Sequence, residues 1–149
     1  MTDRRVHVAS AVPAAFLAVA VGHHPAVAVP LVAGVLLPEV DTVSERFHRS
    51  WVLHTPLVPA LAYAVADRVG VLSPPVAAAV HFLALGMTLH LLADFVYPRE
   101  MSHEGAAWPV RPTVGSTPWG LLLLGVAWAA QWFLYLAPSF LPWLVGYGG

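Results

Sequence analysis

The amino-acid sequence predicts an all-α fold: a polytopic membrane helical bundle of about five transmembrane helices, one integral membrane domain over residues 1–149, with its N-terminus cytoplasmic. Three observations carry that expectation. Hydrophobic residues make up 58% of the chain and charged residues 10%, against about 25% charged in an average soluble domain. The charges sit in a few islands: residues 8–38, 69–93 and 112–149 contain no Asp, Glu, Lys or Arg. Backbone groups in hydrocarbon must pair within the chain, so long uncharged apolar runs read as membrane helices. The placement of Arg then gives a consistent orientation, as set out below.

The first span covers about residues 6–22. It stops at Gly22-His23-His24-Pro25, because Gly and Pro punctuate helices. The second covers about 25–38. Both are short for ~30 Å of hydrocarbon at about 1.5 Å per residue, so they fit a thinned or protein-lined zone or a re-entrant pair. The third covers about 54–69. The fourth, 75–97, and the fifth, 118–138 and a little beyond (to about 145), are long enough to cross. A cleavable signal peptide is the weaker reading of the N-terminus. Asp3-Arg4-Arg5 does precede an apolar run, but no small-x-small site leads into a soluble mature region.

All the cations are Arg. With five spans and the N-terminus inside, Arg4, Arg5, Arg46, Arg49, Arg99 and Arg111 face the cytoplasm and Arg68 alone faces out, as the positive-inside rule requires. Merging the first two spans into one helix erases the bias. The expected location is therefore the cell (inner, cytoplasmic) membrane, multi-pass, with the lipid bilayer as partner. Trp143 and Tyr147 then fall in an outer aromatic belt.

A formal charge of −1 leaves no nucleic-acid footprint. Zero Cys excludes disulfides, zinc ribbons, iron–sulfur clusters and thiol nucleophiles. Any metal must therefore be held by carboxylates and the eight His. With no Gly-x-Ser-x-Gly elbow, a serine hydrolase is disfavoured.

Several candidate donors converge on the cytoplasmic side of this topology. His7 opens the first helix, Glu39 and Asp41 follow the second, His48 and His54 flank the next junction, and His90 and Asp94 end the fourth. His90 and Asp94, at i and i+4, share one helical face. They read as two metal ligands, as a ligand with its hydrogen-bonded partner, or as a buried pair locking two helices. Glu39 and Asp41, at i and i+2 in a turn, can point the same way toward a divalent ion; solvation of a helix end is the plainer reading. Arg49 can hold a phosphate or a carboxylate, or serve orientation alone. His103 and Glu104 lie on the same side in a loop. His81 faces away from His90 and reads as a packing His, and His23 and His24 read as turn residues. Trp119, Trp128 and Trp132 read as lipid-facing or packing aromatics.

These residues resemble the YdjM-type family of membrane-bound metal-dependent hydrolases. That pattern has an early His, then Leu-Pro-Asp-Ile-Asp, then His-Arg-Gly-x-Thr-His-Ser, then His-x-x-x-Asp, and a Gly with Trp-Pro soon after. Here His7, Leu37-Pro38-Glu39-Val40-Asp41, His48-Arg49 through His54-Thr55, His90 with Asp94, and Gly105 with Trp108-Pro109 are similar to it. The likeness spans about residues 7–109 and leaves the last helix outside. It departs in two places: Glu39 replaces the first Asp, and the central His pair is spaced by six where the family has five. The resemblance implies a metal hydrolase without naming a substrate.

The expected function is thus a membrane-embedded metal-dependent hydrolase at the cytoplasmic interface, acting on a phosphoester or lipid-like amphiphile. His7, Asp41, His48, His54, His90 and Asp94 are the expected ligands of one or two divalent ions, zinc ahead of manganese or iron. Glu39 is the expected general base and Arg49 the oxyanion or phosphate stabiliser. The alternatives are a scaffold with a structural metal site or hydrogen-bonded knot, and an ion transporter, which needs polar groups through the full bilayer.

Overall fold

A computed structural model describes residues 4–43, 52–96 and 117–146, and every regular element among them is helical. α1 spans Arg4–Ala20 with Pro13 inside it. It ends where Gly22 takes a φ of 99°, a left-handed conformation that costs Gly little and other residues more. The next start is built by His24 and Pro25. The His24 Nδ1 accepts from the Ala26 N–H at 3.1 Å, and Pro25 sits at the first position of a 3₁₀ turn, where its missing N–H costs nothing. α2 (Ala28–Leu36) follows and tightens into a 3₁₀ segment, Leu37–Val43. α3 is Leu57–Arg68 and is closed by Gly70 at a φ of 73°. α4, Pro74–Val96, is 23 residues long. The last run is α5 (Thr117–Gln131), a π-helical segment (Trp132–Phe140) and α6 (Leu141–Leu144) in direct succession.

Helices form in all five places the sequence marks, with one difference of extent. His54 and Thr55 sit in a turn and α3 begins only at Leu57. It has 12 residues, about 18 Å at 1.5 Å per residue, short of the hydrocarbon thickness. The reason is local: Pro56 biases Thr55 away from the helical region. Two stretches, Pro74–Asp94 and Leu122–Leu144, are long and apolar enough to cross a membrane. His7–Ala20 and Pro25–Val40 are apolar but shorter.

The centre of the fold is the crossing of α2 and α4. Gly34 and Gly86 meet there backbone to backbone: a Cβ on Gly34 would overlap the Leu83 carbonyl, and one on Gly86 would overlap the Leu31 carbonyl. Close approach through small residues is the usual way helices associate when neither has a solvent advantage in burying bulk. Leu31, Val35, Phe82 and Met87 fill the crossing, and α1 lays Ala11 and Ala18 on it. A second cluster joins α3 to the last run through Ala84, Tyr135, Leu136 and Phe140, with Tyr63 and Trp143 against it. In the π segment and the turn of α5 before it, the buried positions are Gln131, Tyr135, Leu136 and Phe140. Tyr135 and Leu136 are adjacent, and Gln131 and Phe140 each lie four to five residues from that pair. Large apolar side chains face outward on every long helix, Phe16, Val29, Leu61, Leu92 and Phe133 among them.

Candidate metal centre

One end of the bundle collects polar side chains from four separate places. His7 comes from the first turns of α1, Glu39 from the 3₁₀ segment after α2, His54 from the turn before α3, and His90 and Asp94 from the last turns of α4. His7, Glu39, His54 and His90 are all buried, and Asp94 is 10% exposed.

The carboxylate of Asp94 lies between two imidazoles. His7 Nε2 stands 3.3 Å from Asp94 Oδ1, and His90 Nε2 stands 3.5 Å from Asp94 Oδ2. The two rings are stacked, with centroids 4.0 Å apart and 13° between planes. Glu39 Oε1 lies 3.6 Å from the same His7 nitrogen. His54 sits one layer out, its ring edge-on to His90 with centroids 5.7 Å apart.

The tautomer of His90 follows from its other nitrogen. His90 Nδ1 lies 2.9 Å from the Val35 carbonyl, and a carbonyl can only accept. Nδ1 therefore carries the hydrogen and donates. In the neutral ring Nε2 then holds a lone pair, and that lone pair faces the Asp94 carboxylate. Lone pair against carboxylate is repulsive unless a proton or a metal ion lies between them. Fixing an imidazole through a backbone carbonyl on its far nitrogen is the arrangement that orients metal-binding His. Local sequence supplies the free carbonyl: Pro38 has no N–H to give to residues three and four positions back, Val35 and Gly34. His7 Nδ1, by contrast, is buried with no hydrogen-bond partner among the described residues.

His7, His90 and Asp94 could together hold a metal ion, each offering one ligand atom with all three inside 4.8 Å. The contacts around the cluster are longer than direct charge-assisted hydrogen bonds. The three imidazole–carboxylate contacts measure 3.3, 3.5 and 3.6 Å, longer than the ~2.7–2.9 Å of a charge-assisted N–H···O bond.

Of the ligands expected from sequence, His7, His90 and Asp94 thus come together, Glu39 joins them, and His54 lies beside them. Asp41 falls in the 3₁₀ segment, but its side chain, together with His48 and Arg49, lies outside the described residues. His81 is a packing residue, its Nδ1 3.1 Å from the Tyr135 hydroxyl and its ring stacked on Trp143. Two participants escape a motif reading. The Val35 carbonyl carries no side-chain signal. Gln131, on the last helix, is buried and donates from Nε2 to Thr55 Oγ1 at 3.1 Å; its signal is a polar residue inside a charge-free run.

No family profile matches this chain, and the searches of curated proteins and of solved structures return no match either.

Proposed function

We propose that the chain is a small membrane-embedded hydrolase that uses a divalent metal at the cytoplasmic face, of the YdjM-type family it resembles. The observation that carries this reading is the grouping of His7, His90 and Asp94, each of which offers one ligand atom within 4.8 Å of the others. The two membrane-length helices and the apolar outer faces support a membrane setting; five crossings with the N-terminus inside rest on the placement of Arg alone.

Zinc is the first candidate, since the donors are imidazole and carboxylate without thiolate. His7, His90 and Asp94 hold it, with His54, Asp41 and His48 as further donors for a fourth position or a second ion. Such an ion supplies hydroxide by lowering the pKa of bound water to about 7. Glu39, against His7, takes the proton from the attacking water, and Arg49 neutralises charge on a phosphoester or lipid-like substrate. His7, Glu39, His90 and Asp94 lie at one end of the bundle, where an amphiphile's head group would come.

A second reading, a structural metal site in a scaffold, is favoured by one observation: every donor among the described residues is at least nine-tenths buried, which leaves little open coordination. One experiment separates the two. Protein purified in detergent is expected to carry about one ion per chain by elemental analysis. Glu39→Gln is expected to keep the ion and lose roughly 10²–10⁴-fold in turnover on a chromogenic phosphodiester. A wild-type protein that holds metal but turns over no ester or amide sinks the hydrolase and leaves the scaffold. A wild-type protein that holds no metal sinks both.

A further inference from the structure

We infer that Gln131 is a positioning residue for the metal site, acting through Thr55 on His54; this rests on the metal reading above. Gln131 is 2% exposed and stands in a stretch of chain with no charged residue. Burying an amide there is costly unless both ends are hydrogen-bonded. One end is bonded: Nε2 donates to Thr55 Oγ1 at 3.1 Å. The other, Oε1, is buried with no hydrogen-bond partner among the described residues. A residue kept only for packing has no need of this half-satisfied amide.

What the bond reaches explains it. Thr55, fully buried, is the neighbour of His54 in an irregular turn. That turn lies outside any helix, and the Gln131 side chain reaches it from a separate element. Gln131 is a tie anchored on a long helix. Its own aim is fixed from the other side. The π segment starts at the next residue and places Tyr135 on the same inward line, where its hydroxyl meets His81 of α4. The rotation of the last run against α4 is thereby set, and with it the reach of Gln131 toward Thr55. The result is that His54 stands edge-on to His90, beside the group of His7, His90 and Asp94.

The test is zinc affinity of the full chain in detergent, measured by competition with a chromophoric chelator. Gln131→Leu and Thr55→Val are each expected to weaken zinc binding roughly 10–100-fold, the range found when partners that orient ligands are removed. Thr55→Ser, which restores the hydroxyl, is expected to bind within about threefold of wild type. In a His54→Ala background, Gln131→Leu is expected to change nothing further, because a residue acting through His54 has nothing left to position. Unchanged zinc affinity in Gln131→Leu overturns the inference and leaves the metal site standing. An equal loss with and without His54 also overturns it, showing a general packing role. Should Gln131→Leu not fold, the Val and Ser variants at Thr55 decide: equal affinities overturn the proposal. Wild-type protein that takes up no zinc overturns the metal reading and this inference together.

Discussion

Asp94→Asn is expected to abolish divalent-metal retention, with affinity falling by more than ~100-fold, beyond what removing an orienting partner costs. Asp94 is the carboxylate that both His7 and His90 face, so the variant removes the charge that a cation between them would meet. Elemental analysis and chelator competition read the result. Metal binding should also weaken as pH is lowered, because protons compete for the imidazole lone pairs. The same variant has a different signature if the cluster is only an ion-paired knot. Then the variant removes the acceptor that both imidazoles face. Asp94→Asn would then lower the melting temperature, with added metal making no difference to the melting of either protein. A wild-type melting temperature that ignores zinc at every pH is the outcome that decides for the knot.

Gly86→Ala is expected to lose at least ~3 kcal/mol of stability, the upper part of the range for overpacking. The added methyl meets the Leu31 carbonyl and the Val35 amide nitrogen, which are backbone and cannot swing aside as a side chain could. α2 and α4 must separate instead. Separation stretches the bond from His90 to the Val35 carbonyl, so metal affinity should fall together with thermal stability. Gly125→Ala is the matched control. Its Cβ would meet nothing within 4 Å, in the interior of α5, and Ala is favoured over Gly there by roughly 0.5–1 kcal/mol. The same substitution is thus expected to have opposite signs at the two positions, measured by thermal unfolding in detergent. A Gly86→Ala variant as stable as wild type would show that the close crossing is not what holds the bundle.

The helices were legible because their signals are local. Charge-free runs and the break at Gly22-His23-His24-Pro25 lie in consecutive residues, and the structure stops and starts its helices within a few residues of them. His90 and Asp94 were legible as a pair because i and i+4 share a helical face whatever the tertiary fold. That His7 would join them needed a topology, and the uneven placement of seven Arg supplied one. The rest depends on relations between distant segments that no window of sequence contains. Gly34 and Gly86 look like two ordinary helix glycines until their helices cross. The short extent of α3 turned on Pro56, a cue outweighed by the apolar run around it. Gln131 lies beyond the motif likeness, which ends near residue 109, and its inward aim depends on how the last run packs against α4.

The hydrogen bond between His90 and the Val35 carbonyl also makes the centre and the scaffold one thermodynamic object. A ligand that binds only the folded chain adds stability as RT ln(1 + [L]/Kd), about 2.7 kcal/mol at a hundred times Kd. Slow amide deuteration along α2 should therefore track the free-ion concentration in the buffer. A chain without the proposed ion would be looser and more open to proteases than a loaded one.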